Sequence, residues 1–201
     1  MGKKAIPIGI ENFEDIIKDN YYYVDKSMLI EDILVNRAAA TLFTRPRRFG
    51  KTLNMSMIKY FFDVRNKDEN RKLFEELKIF GSEYMKEQGK YPVIFVSLKD
   101  LRGDTWEDTF ENLKSFISDL YAEFKDIRKK MDERDKIKFD KIFYEEEKGD
   151  YETALKLLSN YIYKYYGKKV IILIDEYDAP IINAFDKGYY NEAINFFQVF
   201  Y

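Results

Sequence analysis

Val170-Ile171-Ile172-Leu173-Ile174-Asp175-Glu176 reads as a strand covered on both faces that ends in two carboxylates. Five consecutive branched apolar residues leave no polar side for water, which is the habit of a parallel sheet rather than of a half-solvated antiparallel one. Gly167 and two lysines close the helical pattern before it, in which Ala154, Leu155, Leu158, Tyr161, Ile162 and Tyr165 share a face. Upstream the same alternation recurs. Pro92 to Leu98 reads as another buried strand and residues 38–44 as a third. A helix follows residues 38–50, its Leu53, Met57, Ile58, Phe61 and Phe62 falling on one side. Alternating strands and helices predict an α/β fold with a mostly parallel sheet flanked by helices.

The remaining pattern is helical or charged. Phe13, Ile16 and Ile17 mark a short amphipathic piece, Tyr21-Tyr22-Tyr23-Val24 an extended one, and Asp25-Lys26-Ser27 a helix start leading to Leu29, Ile30, Ile33 and Leu34. A weak helix is expected near residues 71–77. The clearest helix begins at Asp104, with Trp106, Phe110, Leu113, Ile117, Leu120, Phe124 and Ile127 as its apolar stripe. Asp104 with Glu107 three residues on resembles a capping box. Residues 129–148 form a charge run with only Ile137, Phe139, Ile142 and Phe143 to bury, expected to be a solvated helical face or a mobile insertion. A last helix is expected from Tyr190. The tyrosines at 21–23 suit core and edge packing, and are also able to stack on bases.

Composition narrows the chemistry. The 201 residues carry 34 basic and 36 acidic side chains, a net charge of −2, with 46% hydrophobic and 17% aromatic residues. That balance gives no electrostatic case for nucleic acid or an anionic membrane beyond a local patch of Arg45, Arg47, Arg48 and Lys51. No apolar stretch is long enough for a membrane span and no signal-peptide core follows Lys3-Lys4, so the expected location is cytoplasmic. The chain has no Cys and no His. Thiolate nucleophiles, disulfides, imidazole bases and His or Cys metal centres are excluded. Carboxylates, Lys, Arg, hydroxyls and a hard, oxygen-liganded metal remain.

Two motifs use those parts. Arg45-Pro46-Arg47-Arg48-Phe49-Gly50-Lys51-Thr52 lies between an expected strand and an expected helix, the context of a phosphate-binding loop. A helix N-terminus offers unpaired N–H groups to an anion, Gly50 allows close approach, Lys51 reaches the β- and γ-phosphates, and Thr52 ligates Mg²⁺. The usual first glycine of such a loop is replaced by Arg45. At the end of the acidic strand, Asp175 is expected to hold Mg²⁺ and Glu176 to deprotonate the attacking water. Asp178 either adds a hydrogen bond behind that site or caps the following turn. Arg47 and Arg48 either touch nucleotide, one as an arginine finger, or pair with acidic neighbours.

Tyr21-Tyr22-Tyr23-Val24-Asp25-Lys26-Ser27, the Arg45–Thr52 loop and Leu173-Ile174-Asp175-Glu176-Tyr177-Asp178-Ala179-Pro180 together resemble the AAA-ATPase-like family of bacterial and archaeal proteins. The resemblance runs from about Ile6 to Tyr201 and makes Arg45 a family trait. It implies a P-loop NTPase-type sheet, with residues 1–37 as an N-terminal helical and extended segment and 38–201 as the ATPase core. It further implies that the sheet is incomplete at the C-terminus, lacking the sensor strand and the nuclease-like domain that often follows in the family. The expected activity is Mg-ATP binding and hydrolysis coupled to a conformational change or a protein partner, self-association included. ATP rather than GTP follows from the family and from the absence of an Asn-Lys-x-Asp motif. The alternatives are a nucleotide-binding module without turnover and a nucleic-acid binder using the arginine loop.

Overall fold

The computed structural model describes residues 4–44 and 49–201. It is α/β, with a small two-stranded parallel sheet flanked by helices, and divides into two compact units, Met1–Val93 and Ile94–Tyr201.

The first unit is helical. Asn12 caps α1 (Phe13–Lys18) by accepting the Glu14 N–H, and Glu14 and Asp15 sit in its positive first turn. α1 lies against α3 (Lys51–Phe62), where the Phe13 N–H donates to Ser56 Oγ at 3.0 Å and the Tyr60 hydroxyl to Glu14 at 3.0 Å. Phe13, Phe61 and Phe74 meet ring to ring and are fully buried with Met57 and Ile79, giving α3 an apolar anchor along its inner face. Between these helices α2 (Leu29–Asn36) buries only Ile30. α4 (Lys67–Lys72) begins earlier than the expected helix near 71–77, because Asn66 turns the chain at φ 53° and Asn70 donates back to the Arg65 carbonyl. Asp63 forms a parallel bridge with Tyr91, and Arg65 clamps Asp63 at 2.7 Å while donating to the Val93 carbonyl.

Residues 38–44 depart from expectation. They form neither helix nor strand and are mostly exposed, with Leu42 66% exposed. A strand needs a neighbour for its N–H and C=O groups, and none lies beside this run among the described residues. Three of its residues are alanines, which have weak strand preference and little surface to bury.

In the second unit the two expected strands appear. β1 (Val93–Ser97), whose first residue closes the first unit, pairs with β2 (Ile171–Asp175). The register continues past β1, where the Leu98 N–H donates to the Asp175 carbonyl at 3.1 Å. β2 is less enclosed than its five apolar residues suggest: Leu173 is buried but Ile172 is 38% exposed, because β1 is its one neighbour among the described residues. Around the sheet stand α5 (Trp106–Ala122), α6 (Glu133–Phe143), α7 (Ala154–Tyr166), α8 (Ala179–Lys187) and α9 (Tyr190–Phe200). Their buried stripes form one core with β1, including Val96, Leu98, Leu113, Ile117, Tyr121, Leu158 and Phe197.

Four details refine the expectations from sequence. Thr105, not Asp104, caps α5. Its hydroxyl accepts the Asp108 N–H at 3.1 Å, while Asp104 pairs with Lys187. α5 stops at Ala122 and a 3₁₀ turn, Lys125–Lys130, carries Ile127 into the core instead. The charge run holds a packed helix: Phe139 and Ile142 of α6 are buried, and Arg128 grips Asp140 through two 2.6 Å hydrogen bonds. α8 was not anticipated. Pro180 sits in its first turn, where a missing N–H leaves nothing unpaired.

Candidate nucleotide-binding site

Of the expected phosphate loop, Arg45, Pro46, Arg47 and Arg48 lie outside the described residues. Phe49 is 57% exposed. Gly50 is the N-cap of α3, in the left-handed region at φ 73°, ψ 31°. A side chain there would be strained, which accounts for glycine at this corner. Lys51 and Thr52 follow as the first two helical residues, half-buried. The first turn of α3 carries no acidic residue. Its partial positive charge therefore faces no carboxylate from its own turn. The twelve residues of α3 are locked from behind by the aromatic cluster around Phe61, so this helix end is fixed by packing of its far side.

A neighbour that the sequence reading left without a role comes close. A carbon placed as Cβ on Gly50 would stand 3.9 Å from Lys26 Nζ, the one such heavy atom within 4 Å among the described residues outside the adjoining chain. The segment that carries Lys26 is tightly held. The Asp25 carboxylate accepts the Ser27 N–H and the Lys78 N–H, both at 2.8 Å, and the fully buried Ser27 hydroxyl accepts the Ile79 N–H at 3.2 Å. Burial opposes the charged form of Asp25, yet these hydrogen bonds prevail and hold its carboxyl below the ordinary value. Tyr23 packs on Phe13 and donates to Met57 Sδ at 3.2 Å; burial pushes its hydroxyl up to about 12. Its contacts are those of a packing residue, whereas Tyr22 is 58% exposed.

The acidic motif stands at the end of β2 in the second unit. Asp175 is 4% exposed, and its Oδ1 accepts the Glu176 N–H at 3.0 Å. Glu176 takes φ 50°, a left-handed conformation uncommon for a residue with a Cβ. The kink turns the chain from strand into α8 through a hydrogen bond from the Ala179 N–H to the Glu176 carbonyl. Asp178 is the N-cap residue of α8 without a side-chain capping bond, and its carbonyl accepts the Ile182 N–H. Tyr201 donates to the Tyr177 carbonyl at 2.7 Å, tying α9 to the same corner.

The sequence matches the AAA-ATPase-like family, described as "Predicted AAA-ATPase", over residues 7–201. The chain belongs to the AAA-ATPase-like family. It is 26% identical over 184 residues to an uncharacterized protein in the vnfD 5′ region of Azotobacter chroococcum mcd 1, covering 91% of this chain and 31% of that relative's length. The chain thus spans about a third of that protein. No solved structure matches it. Family membership accords with nucleotide binding at a coarse level, and among the described residues no helix is long and apolar enough to cross a membrane.

Proposed function

We propose that this chain binds Mg-ATP through a P-loop and cleaves the β–γ phosphoanhydride, using the nucleotide state to drive a conformational change or engage a partner. The observation that carries the reading is the start of α3: a left-handed Gly50 followed by Lys51 and Thr52, with no acid in the first turn, in a member of an ATPase-like family. Backbone N–H groups at such an end suit phosphate oxygens, and Lys51 supplies a point charge for the β- and γ-phosphates. Thr52 and the buried Asp175 each offer a hard oxygen donor of the kind Mg²⁺ takes alongside substrate phosphates; they would hold the ion in this proposal, and it would neutralise phosphate charge. Glu176, next to Asp175 on a strained turn, is the general base that takes the proton of the attacking water. Arg45, Pro46, Arg47, Arg48 and Phe49 complete the loop in this proposal, and the fold it implies is that of a P-loop NTPase with Walker A and Walker B motifs.

Calorimetry of Mg-ATP with wild type and Lys51→Ala tests the binding half. Loss of one charge-assisted contact to phosphate is expected to weaken binding by about a hundredfold or more. Equal binding by the two proteins refutes the loop assignment. Glu176→Gln is expected to bind ATP normally and to slow phosphate release by about a hundredfold or more. Unchanged turnover in that variant removes Glu176 as the base.

A further inference from the structure

Lys26 stands between two anchored residues. Asp25 and Ser27 both receive backbone N–H groups from the Lys78-Ile79 segment, and the Leu29 N–H closes a turn on the Lys26 carbonyl. Of the three, Ser27 is fully buried, Asp25 is half-buried, and the Lys26 side chain is exposed. Its ammonium lies beside Gly50, 24 residues further along the chain (50 − 26), at the N-terminal end of α3. Among the described residues no carboxylate is paired with Lys26 Nζ.

This arrangement gathers positive charge at one helix end. A helix N-terminus carries roughly half a positive charge. Lys51 adds a full charge on the first helical residue, and the first turn of α3 holds no acid to offset either. Lys26 brings its ammonium to the same end of α3, beside Gly50. A fold gains nothing from such a cluster by itself, and gains a good deal once a polyanion sits among the three sources of charge. Gly50 contributes by omission: with no side chain it leaves the path from Lys26 to the helix end clear.

We infer that Lys26 is a second phosphate-binding cation of the nucleotide site, recruited by the tethered 25–27 turn to act on the polyphosphate tail. This rests on the ATP-binding reading above and adds to it a cation that the phosphate loop itself does not contain. Because the charge it meets is that of the tail, its contribution grows with the number of phosphates and falls with salt.

The test compares wild type, Lys26→Met, Lys26→Arg and Lys51→Ala in calorimetric titrations with ATP, ADP and AMP at low and high salt, with the melting temperature of each free protein. Lys26→Met is expected to weaken ATP about tenfold at low salt, ADP less, and AMP not measurably. Lys26→Arg is expected to keep ATP within about threefold of wild type, since the charge is retained. The melting temperature of the free Lys26→Met protein is expected to equal that of wild type, because an exposed side chain is changed. Lys26→Met binding ATP like wild type, while Lys51→Ala does not, overturns the role of Lys26 and leaves the ATP reading standing. Equal weakening for ATP and AMP, or a lowered melting temperature, marks Lys26 as structural and also overturns it. Absence of nucleotide binding by wild type overturns the ATP reading and this inference together.

Discussion

The segments that lead into Lys51 and into Asp175 look alike as sequence and are built differently as structure. Both are short apolar runs ahead of a polar motif. Residues 170–174 become β2, with β1 alongside, and deliver Asp175 buried with its carboxylate holding the next N–H. Residues 38–44 stay irregular and mostly exposed, and Lys51 owes its place to what comes after it: α3, pinned by Phe61, Phe74 and Phe13 and strapped by α1. Asp175 is positioned by the strand that precedes it, Lys51 by the helix that follows it. Apolar composition makes a strand only where a neighbour completes its hydrogen bonds, and branched residues with a real surface to bury make that neighbour worth having.

The largest effect expected from this contrast is at the strand-built end. Leu98 is fully buried at the point where its N–H meets the Asp175 carbonyl. Leu98→Ala removes a packed side chain from the core around β1 and is expected to cost about 3 kcal/mol in urea unfolding of the second unit. A cost below about 1 kcal/mol would mean that the β1–β2 frame does not depend on the packing beneath it, and the contrast would lose its stiffer half.

A middle-sized effect is expected in the first unit, where the tether at Asp25 does the positioning that no strand does. Asp25→Asn keeps the shape but loses the charged acceptor of two N–H groups, and is expected to cost about 1 to 2 kcal/mol at neutral pH. The sign with pH follows from the direction of the shift. The folded Asp25 carboxyl is held below its ordinary 3.8, so the stability it contributes is fully present above that value. It is lost as pH falls through the lower folded value. Wild type is thus expected to lose its advantage over Asp25→Asn in acid, with the two unfolding curves converging below about pH 3.8. A gap that stays constant with pH would show that the asparagine variant fails for a reason other than the carboxylate.

Periodicity made the long elements legible. The stripes of α3, α5 and α7 and the two branched runs at β1 and β2 stand close to where their spacing puts them, because each buries enough surface to override local preference. What escaped was decided by single hydrogen bonds or by distant neighbours. Asp104 and Thr105 are both good caps, and the choice fell to Thr105 because Lys187, 83 residues away, takes Asp104. α8 hides behind Asp-Ala-Pro, which reads as a turn until Pro180 is seen in the first turn of a helix. At the candidate site, Gly50, Lys51, Thr52, Asp175 and Glu176 announced themselves by residue type. The left-handed backbone of Glu176 carried no such signal, since nothing about a glutamate predicts positive φ. Lys26 was visible only as part of a motif, its place beside Gly50 being a product of the fold.

The smallest effect is the one that bears hardest on the comparison. Leu42 is, after Phe43, the largest side chain in the run that was expected to be a strand, and it is 66% exposed. If that run contributes nothing to holding α3, Leu42→Ala is expected to change stability by no more than about 0.5 kcal/mol, the range of an ordinary surface substitution. It is also expected to leave ATP affinity within about twofold, because α3 keeps its anchor at Phe61 and Phe13. A buried strand would answer differently: the same substitution would cost about 3 kcal/mol and loosen the helix end with it. Measured on the free protein, a loss of that size would place residues 38–44 in a sheet in solution. Measured only with Mg-ATP present, it would mean that the nucleotide orders the approach to Lys51, so that this run comes to resemble β2 when ligand is bound.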